Sequence, residues 1–180
     1  MKIIAFGAST SKTSINKDFA KFTAYKIQDN DVTILDLNDY ELPVYSIDVE
    51  ERIGIPDNAK RFYNNLRIGE LIIISLAEHN GSYTSAFKNL FDWVSRHELK
   101  MFEGKKMILL STAPGVRGGL SCMEAAIKSF PFHGADIIAN FTLPKHGDNL
   151  KDQEDIKDED LRSKFNQMIK DVKEKCGITS

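Results

Sequence analysis

The sequence predicts an α/β protein, a parallel sheet with helices on both faces. Three observations predict it. Short apolar runs recur along the chain, they are continuous rather than alternating, and stripes of helical spacing separate them. The runs are KIIAFG (2–7), VTILDL (32–37), LIIIS (71–75), KMILLST (106–112) and ADIIANF (135–141). Continuous apolarity is what a strand needs when helices cover both of its faces.

The helical stripes follow in order. Ile15, Phe19 and Phe22 fall at i, i+4 and i+7. Ala59, Phe62 and Leu66 repeat the spacing after Pro56, a residue suited to a helix start. Phe87, Leu90, Phe91 and Val94 make a third stripe; Met123, Ile127 and Phe130 a fourth; Leu161, Phe165, Met168 and Val172 a fifth. Each reads as a face turned toward the sheet. Strand–helix alternation of this kind calls for right-handed crossovers. Residues 148–160 (DNLKDQEDIKDED) read as a solvated loop. Residues 38–57 form a long connection that is a lid, an interface element or disordered.

Length and composition narrow the classes. The 180 residues suit one domain, residues 1–180, with a sizeable core. The chain is 42% hydrophobic and 28% charged with a net charge of −2, so no basic field points to nucleic acid or an anionic membrane. No run approaches membrane-helix length, and MKIIAFG is too short for a secretory leader. Cys122 and Cys176 lie far apart, without metal-ligand spacing, and read as reduced thiols of a cytoplasmic protein, Cys122 as structural. His97, His133 and His146 are scattered and read as exposed or capping.

In an open parallel sheet, ligands sit beyond the carboxyl ends of the strands. The loops there are GASTSKTSIN (7–16), LAEHNGSY (76–83) and STAPGVRGGLS (111–121), all small, polar and rich in Gly or Ser. The first offers hydroxyls at Ser9, Thr10, Ser11, Thr13 and Ser14, followed by a helix start whose free N–H groups suit a phosphate. The plainer reading is a helix cap at Ser14 or Thr13. A dinucleotide fingerprint would need glycines where Gly7, Ser9 and Lys12 stand, and a P-loop lacks its second glycine, so a monophosphate is favoured. Asp36 reads as a turn or cap residue rather than a ribose acid. Asp92 and Arg96, at i and i+4, read as a helix-surface ion pair. Trp93 reads equally as interface anchor or core residue.

These motifs carry a resemblance. ASTSKTSIN is similar to an opening pattern GSxRxxSxN at Ser9, Ser14 and Asn16. The stretch 78–96 is similar to PEYNxSxPGxLKNAIDWxSR at Glu78, Asn80, Ser82, Lys88, Asn89, Asp92, Trp93, Ser95 and Arg96. Gly115, Gly118 and Gly119 fit a third, glycine-rich loop, and LPVYSID (42–48) resembles the loop after the second strand. The sequence thus resembles the NAD(P)H-dependent FMN reductases of the flavodoxin-like fold, the group with quinone, chromate and azo reductases. It departs from them at Ser11 (arginine in the pattern, with Lys12 adjacent), Ala77, His79 and Thr84-Ser85.

The resemblance implies a three-layer sandwich with a five-stranded parallel sheet of order 2-1-3-4-5. It implies FMN as cofactor, its phosphate near Ser9, Ser11, Ser14, Ile15 and Asn16. It implies ring contacts from Glu78, His79, Asn80, Gly81 and Ser82, and from Ala113, Pro114, Gly115 and Gly118. His79 either lies beside the flavin or hydrogen-bonds locally. NAD(P)H would be co-substrate and a quinone or similar small molecule the acceptor, with no side chain acting as acid or base. A homodimer or homotetramer is implied, with Trp93 and the 38–57 loop near a neighbour. The competing readings are a flavodoxin-type electron carrier and a non-catalytic binding domain of the same fold. The carrier is disfavoured by the modest charge and the absence of an aromatic in residues 77–82.

Overall fold

The computed structural model describes residues 1–150 and 154–178. In chain order the elements are β1 (Ile3–Gly7), α1 (Ile15–Ile27), β2 (Val32–Leu35), α2 (Ile47–Ile53), α3 (Asp57–Arg67), β3 (Leu71–Leu76), β4 (Glu78–His79), β5 (Ser82–Tyr83), α4 (Ser85–His97), β6 (Lys105–Thr112), α5 (Leu120–Ser129), β7 (Ala135–Leu143), α6 (His146–Asn149) and α7 (Glu159–Cys176). The main sheet runs β2-β1-β3-β6-β7, and every pairing in it is parallel. Setting aside the small β4–β5 hairpin, this is the 2-1-3-4-5 order the resemblance implies. Among the described residues no helix is long and apolar enough to cross a membrane.

Two cores, one on each sheet face, explain the apolar runs. Alternate residues of a strand point to opposite faces. Ile4, Phe6, Ile72, Ile74, Met107 and Leu109 face α3, α4 and α5 through Phe62, Leu66, Phe87, Leu90, Trp93 and Met123. Ile3, Ala5, Leu71, Ile73, Ile108 and Leu110 face α1 and α7 through Phe19, Phe22, Phe165 and Val172. Each fully buried large side chain contributes about 1.5–3 kcal/mol. A strand buried on both sides therefore has no position for a polar residue until its carboxyl end.

The stripes hold, although Phe91 and Leu161, like Ile15, are only half-buried and Ile127 turns outward. Ile15 is only half-buried, because it starts α1 at the rim of the sheet. Ile127 is 39% exposed, because α5 turns Cys122, Met123 and Ala126 inward and leaves Ile127 beside that face. The 148–160 stretch is not simply a solvated loop. Asn149 ends α6, and Leu150 and Ile156 are buried in the second core; residues 151–153 lie outside the described residues.

The long connection after β2 is ordered and strapped to α4. It holds a 3-10 turn (Leu37–Asp39) and α2, which Ser46 caps. The Asn89 carboxamide accepts from the Tyr45 N–H at 2.8 Å and donates to the Pro43 carbonyl at 3.0 Å. Trp93 Nε1 donates to the same carbonyl at 2.8 Å, and the indole meets the Tyr45 ring edge-on. Trp93 is fully buried within this chain, so its ring anchors the strap rather than a neighbour. Arg96 does not pair with Asp92. Its Nε donates to Glu50 of α2 at 2.8 Å, and Asp92 instead receives Lys88 at 2.6 Å. A shared helix face allows i, i+4 pairing in either direction, and the strap offers Arg96 a better-shielded acid.

The Arg96 hydrogen bond, working against burial and with help from the Tyr45 hydroxyl, holds the Glu50 carboxyl below its ordinary value. A carboxyl depressed on folding contributes stability above its unfolded pKa of about 4 and loses it as pH falls through the folded value. Proteolysis of the 40–53 strap should therefore accelerate below about pH 4 before global unfolding. Arg96→Gln should remove the difference between strap and whole. Asn89→Ala should cost about 1–3 kcal/mol in urea denaturation, with the strap becoming the first site of cleavage.

Candidate functional site

The carboxyl ends of β1, β3 and β6 meet at one buried carboxamide, that of Asn16. Its Oδ1 accepts from the Ser75 hydroxyl at 2.7 Å and the Thr112 N–H at 3.2 Å, and its Nδ2 donates to the Thr112 carbonyl at 3.1 Å. Asn16 is 3% exposed, so its side chain belongs to the scaffold, and only its main chain faces outward. Gly7 makes this approach possible, since a Cβ there would lie 2.3 Å from the Lys17 nitrogen.

Above this clasp the three loops enclose a cavity of about 280 Å³. Ser9, Ser11, Thr13 and Ser14 line it from the first loop, with Ile15 and Asn16 at the start of α1. Glu78 and His79 enter from the second loop, and Ala113 and Pro114 from the third. Ser14 is the N-cap, its hydroxyl accepting from the Lys17 N–H at 3.2 Å. Among the described residues the N–H groups of Ile15 and Asn16, and the hydroxyls of Ser11 and Thr13, have no partner. A 13-residue helix thus presents unpaired donors and its positive end to the cavity. Lys17 lies one turn behind and pairs with Asp36 at 2.6 Å, while Asp36 also caps Asn38, as the cap reading expected. Burial raises the Asp36 pKa, but hydrogen bonds from Lys17 and Asn38 outweigh it and leave it lowered.

The polar knot after β3 is a hairpin. Glu78 pairs with Tyr83 and His79 with Ser82 across a two-residue turn in which Asn80 and Gly81 have φ of 53° and 77°. That is the mirror-image turn that an Asn-Gly pair favours, a signal read above only as a polar loop. Asn80, Gly81 and Ser82 therefore form an exposed tip outside the cavity's lining, while His79 is exposed at its mouth. Glu78 does structural work, accepting the Cys122 N–H in the first turn of α5 at 3.1 Å. Gly119, the N-cap of α5, has no side chain to do so. Thr84 caps α4 and donates to the Ala8 carbonyl at 2.9 Å, tying the second loop to the first.

Gly115 and Gly118 also stand outside the cavity's lining. Gly118 sits at φ 59°, and a Cβ there would lie 2.7 Å from Thr142 and 2.9 Å from the Leu143 backbone. Its smallness lets the third loop press on the end of β7. His146 lies beneath that loop, its N–H donating to the Ala113 carbonyl. It is neither exposed nor a side-chain cap. It is 6% exposed, and its Nε2 has no partner among the described residues. Burial lowers its pKa, against the pull of Asp18. Cys122 is fully buried, and burial together with the Glu78 charge pushes its thiol up to about 12.

Two outcomes follow from this geometry. Asn16→Leu strands Ser75 and both Thr112 backbone groups, so urea denaturation should show a loss of about 2–4 kcal/mol, with Asn16→Asp intermediate because it keeps the two accepted bonds. Iodoacetamide at pH 8 should leave Cys122 of the native protein unmodified, since only the thiolate reacts, and alkylate it after unfolding. Peptide mass mapping reads both states.

Residues 1–148 match the family described as NADPH-dependent FMN reductase. The quinone reductase of Escherichia coli (strain K12) is 25% identical over 118 residues, a stretch that covers 60% of this chain and 63% of that protein. In structure the chain is similar to the flavoenzyme NAD(P)H:(acceptor) oxidoreductase of Paracoccus denitrificans, with a TM-score of 0.71 at 19% identity, covering 97% and 98% of the two chains. It is similar also to an FMN-dependent NADH-azoreductase of Bacillus anthracis in complex with FMN, with a TM-score of 0.63 at 12% identity over 98% and 99%. At such identities the structures share a fold, and it is the match along most of the sequence, with its motifs on the three cavity loops, that places the chain: it belongs to the NADPH-dependent FMN reductase family.

Proposed function

We propose that residues 1–180 act as one FMN-binding domain that takes a hydride from NAD(P)H and reduces a quinone or a similar small acceptor. The observation that carries this reading is the cavity where three loops converge on unpaired helix donors. Those donors fit a phosphate monoester. The N–H groups of Ile15 and Asn16 and the hydroxyls of Ser11 and Thr13 offer four hydrogen bonds, and the end of α1 adds a positive field. FMN held there supplies the two-electron chemistry between pyridine nucleotide and acceptor.

The protein's own part is binding and orientation. Ser14 fixes the first turn of α1, and Asn16 locks that turn to β3 and β6. Ser9 receives the Ser11 N–H at 3.1 Å, which shapes the loop around the phosphate position. Ala113 and Pro114 offer an apolar edge opposite Glu78 and His79, suited to a flat ring. The hairpin tip, Asn80, Gly81 and Ser82, stands exposed at the mouth, and the Gly115 carbonyl, accepting from the Gly118 and Lys145 N–H groups, together with the close fit of Gly118, holds the opposite loop in place. No side chain is called on as acid or base. The free thiols support a cytoplasmic setting. Exposed Val44, Ile47 and Ile53 on the strap support a homodimer or homotetramer through that face.

Titration of the purified chain with FMN should give a bound flavin spectrum that bleaches anaerobically on addition of NADH or NADPH and returns with a quinone. Riboflavin, which lacks the phosphate, should bind at least about tenfold more weakly, a loss of about 1.4 kcal/mol. Ser14→Ala should weaken FMN by a similar factor through loss of the cap. Equal affinity for FMN and riboflavin would remove α1 from the site. Binding without bleaching would make the protein an electron carrier.

A further inference from the structure

A second cavity, of about 310 Å³, lies across the first loop from the cradle. The two share one ridge, because Ser9 and Ser11 line the first while Thr10 lines the second. Its floor is apolar. Leu37, Tyr40 and Leu90 are each at most 7% exposed. Its rim is polar, with the Thr10 hydroxyl and the Glu41 carboxylate both exposed and without hydrogen-bond or ion-pair partners among the described residues. A concave site with apolar residues beneath it and unsatisfied polar groups around a mostly polar surface suits a polar small molecule.

The walls are held in place. One wall is the strap, whose main chain is tied at three carbonyls by four side chains from two helices. Arg61 of α3 donates to the Asp39 carbonyl, Asn58 to that of Glu41 at 2.8 Å, and Asn89 and Trp93 of α4 to that of Pro43. Asn65 donates to the Tyr40 hydroxyl at 2.7 Å. The charge at the rim is also set. Arg61 lies 4.9 Å over the Tyr40 ring and is already bonded to Asp39, and Lys17 is taken by Asp36. Glu41 thus stands on the cavity's edge without an ion-pair partner among the described residues.

We infer that this cavity takes the adenosine half of the pyridine dinucleotide, and that Glu41 selects NADH over NADPH. The inference rests on the reading of the first cavity as the flavin site. A dinucleotide whose nicotinamide reaches that site must place its other half nearby, and the shared ridge lets one molecule span both cavities. The adenosine lies over Leu37, Leu42 and Leu90, with the polar rim around it. A carboxylate at its rim accepts hydrogen bonds from a free ribose diol and repels a 2′-phosphate.

The test separates the two readings by using a ligand that needs no flavin. The chain, with FMN present and again without it, is titrated with adenosine and with adenosine 2′-monophosphate, and backbone amide shifts are followed by NMR. Adenosine should move the amides of Thr10, Leu42 and Asn89 and bind about fivefold to tenfold more tightly than its 2′-phosphate. Glu41→Gln should bring the ratio close to one, and Glu41→Arg should invert it. The ratio of kcat/KM for NADH and NADPH should follow in the same order. Equal binding of the two probes, a preference untouched by Glu41→Arg, or shifts confined to Ser9, Ser11 and His79 would overturn the inference. Failure of the flavin titration, with adenosine selectivity intact, would instead overturn the flavin reading.

Discussion

Three strand ends that diverge in sequence are held at a common height by the Asn16 carboxamide. Among the described residues it is the one side chain of the helix following β1 that hydrogen-bonds to both β3 and β6. Each of its bonds is buried, where a lost partner costs about 1–3 kcal/mol. The geometry of the cradle follows from it. If α1 shifted along β1, its free N–H groups would no longer point between the second and third loops. Gly7 is the steric counterpart, because only a residue without Cβ lets the helix start settle on the strand. The cavity is therefore a product of strand-end registration.

A second level of construction keeps the outer wall in place. The helix α4 carries Asn89, Trp93 and Arg96 about one turn apart, and all three reach the same strap. A connection of this length has almost no ladder hydrogen bonds of its own, so its backbone groups must find partners elsewhere. The polar side chains of α3 and α4 supply them. This accounts for Asn89 and Arg96 of the stretch 88–96 by their bonds to the strap. It also explains why one side of the molecule has a firm second cavity where a bare loop would leave an open shelf.

The parallel sheet was legible because burial on both faces forces continuous apolar strands, and few other structures do; its strand order came from the family resemblance. The helix stripes were legible for the same reason, except where the buried face of α5 was set by Cys122 and Ala126 rather than Ile127. The hairpin at Asn80-Gly81 carried a strong local signal that went unread, since its strands are only two residues each. The partners of Arg96 and Glu78 were not legible at all. Both depend on segments more than 40 residues away in sequence, and spacing along one helix says nothing about them. His146 illustrates the same limit, because its burial comes from α6 folding under the third loop. Asn16 was picked out as a candidate site residue, and it does line the cavity; what sequence could not show is that its side chain points inward.

The departures from the family pattern fall where this construction tolerates them. Thr84 replaces the proline of the pattern, and it restores the link by capping α4 while donating to Ala8. A proline could not make that bond, having no donor of its own. Ser11 stands where the family pattern has an arginine, beside the phosphate position proposed above. The loop here keeps its shape through the Ser9–Ser11 hydrogen bond, and attraction is left to the end of α1, with exposed Lys12 next to it. A site built on main-chain dipoles keeps its form when a charged side chain is lost, because the donors are fixed by strand and helix packing. Its ligand preference then rests on shape and hydrogen bonding more than on net charge.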